Sequence, residues 1–161
     1  MTETFSEQAL ALATAAHAGQ LYGTGEPYII HPTQLAAMAT RLGYPDEVIA
    51  ACYLHDVVED TAVTEENLRE QFPAVIVDAV IAVTFFGKGF TQKIAQAMAN
   101  PLGHVVKFCD VSCNFSNTVL FGAKQGRESA EVIPRLASGL ATLVATLPSP
   151  ADIIKYLSIV S

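Results

Sequence analysis

The chain has 161 residues, 51% of them apolar and 16% charged, with a net charge of −7. This is a globular composition that excludes a disordered chain, and the length suits one domain, residues 1–161, with a substantial core. The acidic balance excludes a basic stripe for DNA or RNA, no apolar run is long enough to span a bilayer, and MTETFSEQAL lacks the basic and apolar parts of a secretory leader. No nucleic-acid or membrane partner is therefore expected, and the expected location is cytoplasmic.

In chain order, FSEQALALATAAHAG predicts a helix with Ser6 as its N-cap and Gly19 as its stop. LYGTGEPYII reads as a loop. HPTQLAAMATRLG is helical, with Pro32 tolerated in the first turn. YPDEVIAACYLHDVVED predicts one continuous helix capped by Asp46. TEENLREQF predicts a helix opened by Thr64, with Asn67 as the fourth residue and a looser cap than a full capping box. PAVIVDAVIAV is β-branched, yet it follows Pro73 among helical segments and reads as a buried helix. FFGKGF is a loop, TQKIAQAMAN an amphipathic helix, and PLGHVVKFCDVSCNFSNTVL a long apolar helix studded with polar groups. A turn over 122–126 and two helices, around 128–147 and 150–159, complete an all-α architecture without internal repeats.

Cys52, Cys109 and Cys113 are odd in number and suggest no disulfide framework. Cys109 and Cys113 share a helix face, but no second Cys/His pair at zinc spacing accompanies them, so all three read as buried free thiols.

The informative stretch is YLHDVVEDT. Its helix, after a smooth apolar run, gathers His55, Asp56, Glu59 and Asp60 within six positions. At three- and four-residue spacings these groups crowd one sector, where carboxylates repel one another and burial worsens the repulsion. Either the helix end is exposed and the acids are solvated, or a divalent cation neutralises them. Imidazole nitrogen with carboxylate oxygen suits Mn, Fe or Zn. Further ligands must then come from elsewhere. His31 opens a helix directly after the glycine-rich loop, and Asp110 stands among Val, Phe and Cys, where an unpartnered carboxylate is costly. Asn114 lies one turn beyond Asp110.

AHAGQ, GEPYIIHP, LHDVVEDT and VKFCD with an Asn four residues after the Asp resemble, in that order, the HD-domain hydrolases of the RelA/SpoT type. The likeness covers about the first 115 residues and is greatest to the small stand-alone alarmone hydrolases. The resemblance implies an all-α HD-domain helical bundle, one Mn2+-type ion held by His31, His55, Asp56 and Asp110, and hydrolysis of the 3′-pyrophosphate of ppGpp or pppGpp. It also implies that Glu59 and Asp60 do the acid–base work, Glu59 foremost, and that Asn114 contacts the nucleotide. Lys88 is a candidate phosphate contact, with a solvated lysine as the plainer reading. His17 reads as structural or hydrogen-bonded near the pocket, His104 as a surface residue, and Lys107 as a structural ion pair.

One loop departs from the resembled pattern. LYGT places Tyr22 and Gly23 where basic residues are expected, while Thr24 replaces a usual serine. Tyr22 is suited to stack on a base. A different 3′-phosphorylated nucleotide, an adenosine alarmone or an NADPH-like cofactor, is therefore an alternative substrate. A non-enzymatic nucleotide-binding module is a third reading, which intact Glu59 and Asp60 argue against. A homo-oligomer is compatible with the composition.

Overall fold

Ten helices and no strand make up the described residues of the chain, as the all-α expectation requires. The structure, a computed structural model, describes residues 3–22, 25–85, 87, 89–121 and 129–160. Thr24, Lys88 and the turn expected over 122–126 lie outside them.

Helix α1 (Phe5–Ala16) is capped by Thr4, not by Ser6. Thr4 Oγ1 accepts from the Glu7 amide and the Glu7 carboxylate returns to the Thr4 amide, which closes a capping box. The chain then turns at Gly19, whose φ of 79° lies in the left-handed region. An isolated bridge pairs Leu21 with Pro27 ahead of the next helix. Helix α2 (Ile30–Arg41) carries Pro32 in its first turn, as expected.

Helix α3 (Asp46–Leu54) corrects two expectations. Asp46 is its first residue and does not cap it; the Asp46 carboxylate accepts from the amides of Phe5 (2.8 Å) and Ser6 (3.3 Å), so it satisfies orphan donors of α1. The helix is also not continuous to Asp60. It breaks at His55 and Asp56 and resumes as α4 (Val57–Asp60). Asp56 sits at φ −108°, ψ −1°, the sparsely populated bridge region where site residues are often found.

Helix α5 (Glu65–Arg69) has a tighter cap than expected, because Asn67 closes a reciprocal box with Thr64. Helices α6 (Ala74–Val83), α7 (Phe90–Met98), α8 (Pro101–Phe121), α9 (Ser129–Ala145) and α10 (Pro150–Val160) follow as predicted. No single described helix is long and apolar enough to cross a membrane.

Two helices form the centre. α3 packs against α1, α2, α6 and α8, and α8 packs against α2, α3, α6, α7, α9 and α10. Their facing residues, Val48, Ala51, Cys52 and Leu54 on α3 and Val105, Val106 and Cys109 on α8, are fully buried. Gly103 permits the close approach of α8: a Cβ there would lie 3.0 Å from Ala82 Cβ and 3.3 Å from the Ala97 carbonyl. A smaller apolar cluster of Ile94, Val111, Leu136 and Leu143 seats α9 on α7 and α8. Cys52, Cys109 and Cys113 are free and buried, as expected.

His104 is not a surface residue. It is buried, and its Nε2 donates to the Leu143 carbonyl at 2.8 Å, tying α8 to α9.

Candidate active site

The two central helices deliver the chemistry. His55 and Asp56 follow directly on the end of α3, α8 carries Asp110 in its middle, and α2 brings His31 from its first turn. One ligand atom each of His31, His55 and Asp110 lies within 4.8 Å of the others, and all three residues are buried. The His31 and His55 ring centroids are 5.2 Å apart.

Hydrogen bonding orients each group. A carbonyl only accepts, so His55 Nδ1, 2.9 Å from the Cys52 carbonyl, carries the proton. This leaves Nε2 facing the cluster. It lies 2.8 Å from Asp56 Oδ2 but has no hydrogen-bond partner, and neither has His31 Nδ1. Asp56 flanks the three converging residues and is itself held by the Tyr28 hydroxyl, which donates to Oδ2. Asp110 Oδ1 lies 3.3 Å from His31 Nε2 and accepts from Asn114 Nδ2 at 2.5 Å, while Oδ2 accepts from Lys107 Nζ at 2.7 Å. Lys107 is thus an ion pair, as expected, and its acid is the candidate ligand itself.

Buried imidazole nitrogens without partners beside two carboxylates cost free energy unless a cation takes up their lone pairs. Two imidazoles with carboxylate oxygens suit a divalent transition ion, so the residues present fit one.

The charges of the cluster are mutually dependent. Burial pulls the His55 pKa down, but Asp56 and Asp110 outweigh it and raise the value to about 9. Burial pushes Asp56 up, and His55 with the Tyr28 hydroxyl brings it down to about 2. Asp110, pushed up by burial, is held well below the usual carboxylate range by Lys107, His31 and His55.

Glu59 and Asp60 stand on α4 and line the same cleft, of about 310 Å3. Burial raises the pKa of both, and the neighbouring Asp56 adds to it. A carboxyl with raised proton affinity is suited to accept and return protons near neutral pH. Glu59 Oε2 accepts from the Phe85 amide at 3.0 Å, and its Oε1 lies 4.0 Å from Lys93 Nζ. His17 Nδ1 pairs with Gln20 Oε1 at 2.7 Å, and Gln20 in turn bonds Asp60, which places His17 near the pocket as expected.

Tyr22 and Asn114 both line the cleft, and the Tyr22 hydroxyl reaches Asn114 Oδ1 at 3.3 Å. Sequence reasoning passed over Tyr28, Phe90, Lys93 and Leu136, which line it as well. Tyr28 had a signal, since it lies inside GEPYII. Lys93 and Phe90 share a face of an ordinary amphipathic helix, and nothing in its pattern says that the face borders a cleft.

The HD domain family model matches residues 9–101. A guanosine-3′,5′-bis(diphosphate) 3′-pyrophosphohydrolase of Haemophilus influenzae is 43% identical over 77 residues, covering 48% of this chain and 11% of that protein. The enzyme of the same name from Aquifex aeolicus is 42% identical over 82 residues, covering 51% of this chain and 12% of that protein. The chain thus spans roughly a tenth of the length of these curated relatives. A solved structure, described as a metazoan ortholog of SpoT that hydrolyzes ppGpp and plays a role in starvation responses, superposes with a TM-score of 0.75. It is 17% identical, covers 95% of this chain and 92% of its own, and shares the fold. With that fold, and with the family model spanning the segment that carries His31, His55, Asp56, Glu59 and Asp60, the chain belongs to the HD-domain family.

Proposed function

We propose that this chain is a metal-dependent phosphohydrolase that removes the 3′-pyrophosphate of guanosine alarmones, ppGpp and pppGpp, with residues 1–161 working as one HD-type domain. The observation that carries the reading is the buried convergence of His31, His55 and Asp110, with two imidazole nitrogens that make no hydrogen bond, in one cleft with Glu59 and Asp60. The names of the pyrophosphohydrolase relatives supply the substrate.

His31, His55, Asp56 and Asp110 would hold the ion, with Mn2+ as the proposed metal and Fe2+ or Zn2+ as its competitors. A divalent ion held there would supply Lewis acidity to the phosphoryl group and to the attacking water. Glu59 accepts the proton of the attacking water and Asp60 orients that water. The new bond joins water oxygen to the proximal phosphorus, the bond from phosphorus to O3′ breaks, and the proton goes to O3′. Tyr28 holds Asp56, and Lys107 with Asn114 holds Asp110. Tyr22 and Asn114 contact the nucleotide from the outer part of the cleft. Thr24 and Lys88, also expected as substrate contacts, lie outside the described residues.

A second reading keeps the chemistry and changes the nucleotide to an adenosine alarmone or an NADPH-like cofactor. It is favoured by Tyr22, which stands in the cleft where the resembled family carries a basic side chain. The deciding experiment is pyrophosphate release by metal-stripped protein with Mn2+ added back, using ppGpp and a panel of 3′-phosphorylated nucleotides. Mn-dependent release from ppGpp supports the first reading. Release only from another nucleotide moves the substrate, and nucleotide binding without any release leaves a binding module.

A further inference from the structure

The inner cleft is acidic. Asp56, Glu59, Asp60 and Asp110 line it against two lysines. Lys107 is committed to Asp110, and Lys93 faces Glu59 while its ammonium sits 4.2 Å from the Phe85 ring centroid. A divalent ion would offset the inner acids, but among the described residues of the lining little positive charge is left for a second anionic group on a nucleotide.

A positive charge adjoins the cleft on α9. Asn114 and Leu136, which line the inner cleft, also line a neighbouring vestibule of about 370 Å3 whose other described lining residues are Val132 and Arg135. Among the described residues, Arg135 is the only charged one in this lining. It forms no ion pair among the described residues. Its guanidinium carbon lies 5.4 Å from the centroid of the Phe90 ring.

Phe90 is a firm seat. It lines the inner cleft on one side and is met by the backbone of α9 on another, because a Cβ at Gly139 would lie 2.7 Å from Phe90 Cε1. A guanidinium resting on an aromatic ring is oriented with its donors still free, and its planar fork matches the oxygens of a phosphate. Asn114 connects the two ends of the cleft: it donates to Asp110 at the inner cluster and lines the vestibule beside Arg135.

We propose that Arg135, seated on Phe90, clamps the second phosphate group of the substrate, the one remote from the scissile 3′ linkage, and so selects nucleotides phosphorylated at both ends. This rests on the phosphohydrolase reading and moves the missing positive charge from the LYGT loop to α9.

The test compares ppGpp with guanosine 3′-diphosphate, which lacks the 5′ phosphates, on the full chain with Mn2+. Binding is read by calorimetry in a Glu59→Gln background, and turnover in the otherwise unaltered chain. Arg135→Met is expected to weaken ppGpp binding about tenfold or more and to leave the 3′-diphosphate within about twofold. In turnover the loss falls on KM and not on kcat, and Arg135→Lys restores part of it. If Arg135→Met does not fold, Arg135→Gln carries the same comparison. Equal weakening of both nucleotides, no change in either, or no binding of either overturns the clamp. Arg135-dependent binding of ppGpp without pyrophosphate release supports the clamp and sinks the hydrolase reading; turnover of ppGpp without Arg135 selectivity does the reverse.

Discussion

Lys107 Nζ lies 2.7 Å from Asp110 Oδ2, on the opposite oxygen from the one that faces His31. Asp110 is buried and Lys107 half-buried, and the pair holds Asp110 ionised in an apolar helix, ready to act as a ligand. Lys107→Met is expected to destabilise the metal-free protein by about 3 kcal/mol, because it leaves a buried carboxylate with less compensation. Urea unfolding measures this, and a loss within about 0.5 kcal/mol would show a solvated pair. Metal affinity should fall with it, since Asp110 then holds its proton more tightly.

The ligand and acid–base roles separate by mutation. Asp110→Ala should abolish metal binding and activity together; an active, metal-replete variant would remove Asp110 from the ligand set. Glu59→Gln should retain the metal and lose about a hundredfold or more in kcat. Metal content by mass spectrometry beside steady-state kinetics distinguishes the two outcomes.

The acid limb of the pH–rate profile should follow Glu59. Burial, Asp56 and Asp60 raise its pKa, whereas Lys93 and the Phe85 amide lower it, and the net shift is upward. The limb is therefore expected above the ordinary value of 4.5. Lys93→Met removes one of the lowering influences and should move the limb to still higher pH. A limb that stays in place would assign it to another group.

The metal-free protein should lose stability at both ends of the pH scale. His55 has a raised pKa of about 9, so its contribution is complete below its unfolded value of about 6.5 and is lost as pH rises through 9. Asp56 has a depressed pKa of about 2, so its contribution is present above about 4 and is lost as pH falls toward 2. Unfolding midpoints of chelator-treated protein should form a plateau between about pH 4 and 6.5. Added Mn2+ should lift the alkaline side, because it binds neutral imidazole. A flat profile would show that the His55–Asp56 contact is not formed without metal.

Gly139→Ala tests the seat of the cleft wall. The added Cβ would lie 2.7 Å from both Ile94 Cδ1 and Phe90 Cε1, so these side chains must move. Overpacking of about 2 kcal/mol against a helix gain of about 1 kcal/mol leaves a net loss of about 1 kcal/mol. Thermal unfolding reads that loss, and a raised KM reads the shift of Phe90. An unchanged KM would show that Phe90 does not shape the cleft.

Much of this protein was legible in the sequence because the signals are local. Apolar periodicity, Pro32 and Pro73 near helix starts, and Gly19 at positive φ act through neighbouring backbone, so the helices fall where the pattern puts them. An imidazole and carboxylates at the end of an apolar helix, and an aspartate inside another, are anomalous wherever they occur. Burial makes them costly, and that cost alone points to a charged partner.

Tertiary structure decided what depends on separation through space. It assigned the Asp46 carboxylate to a different helix, broke the chain at His55 and Asp56 so that the imidazole Nε2 turns toward His31 and Asp110, and buried His104 against the Leu143 carbonyl. It also brought Lys93 and Arg135 from ordinary amphipathic helices to the cleft and its vestibule. A lysine or arginine on a helix face reads as solvated because its pattern records only which face is apolar. Which charges meet a ligand is settled by how α7, α8 and α9 pack, and that depends on contacts between residues far apart in the chain.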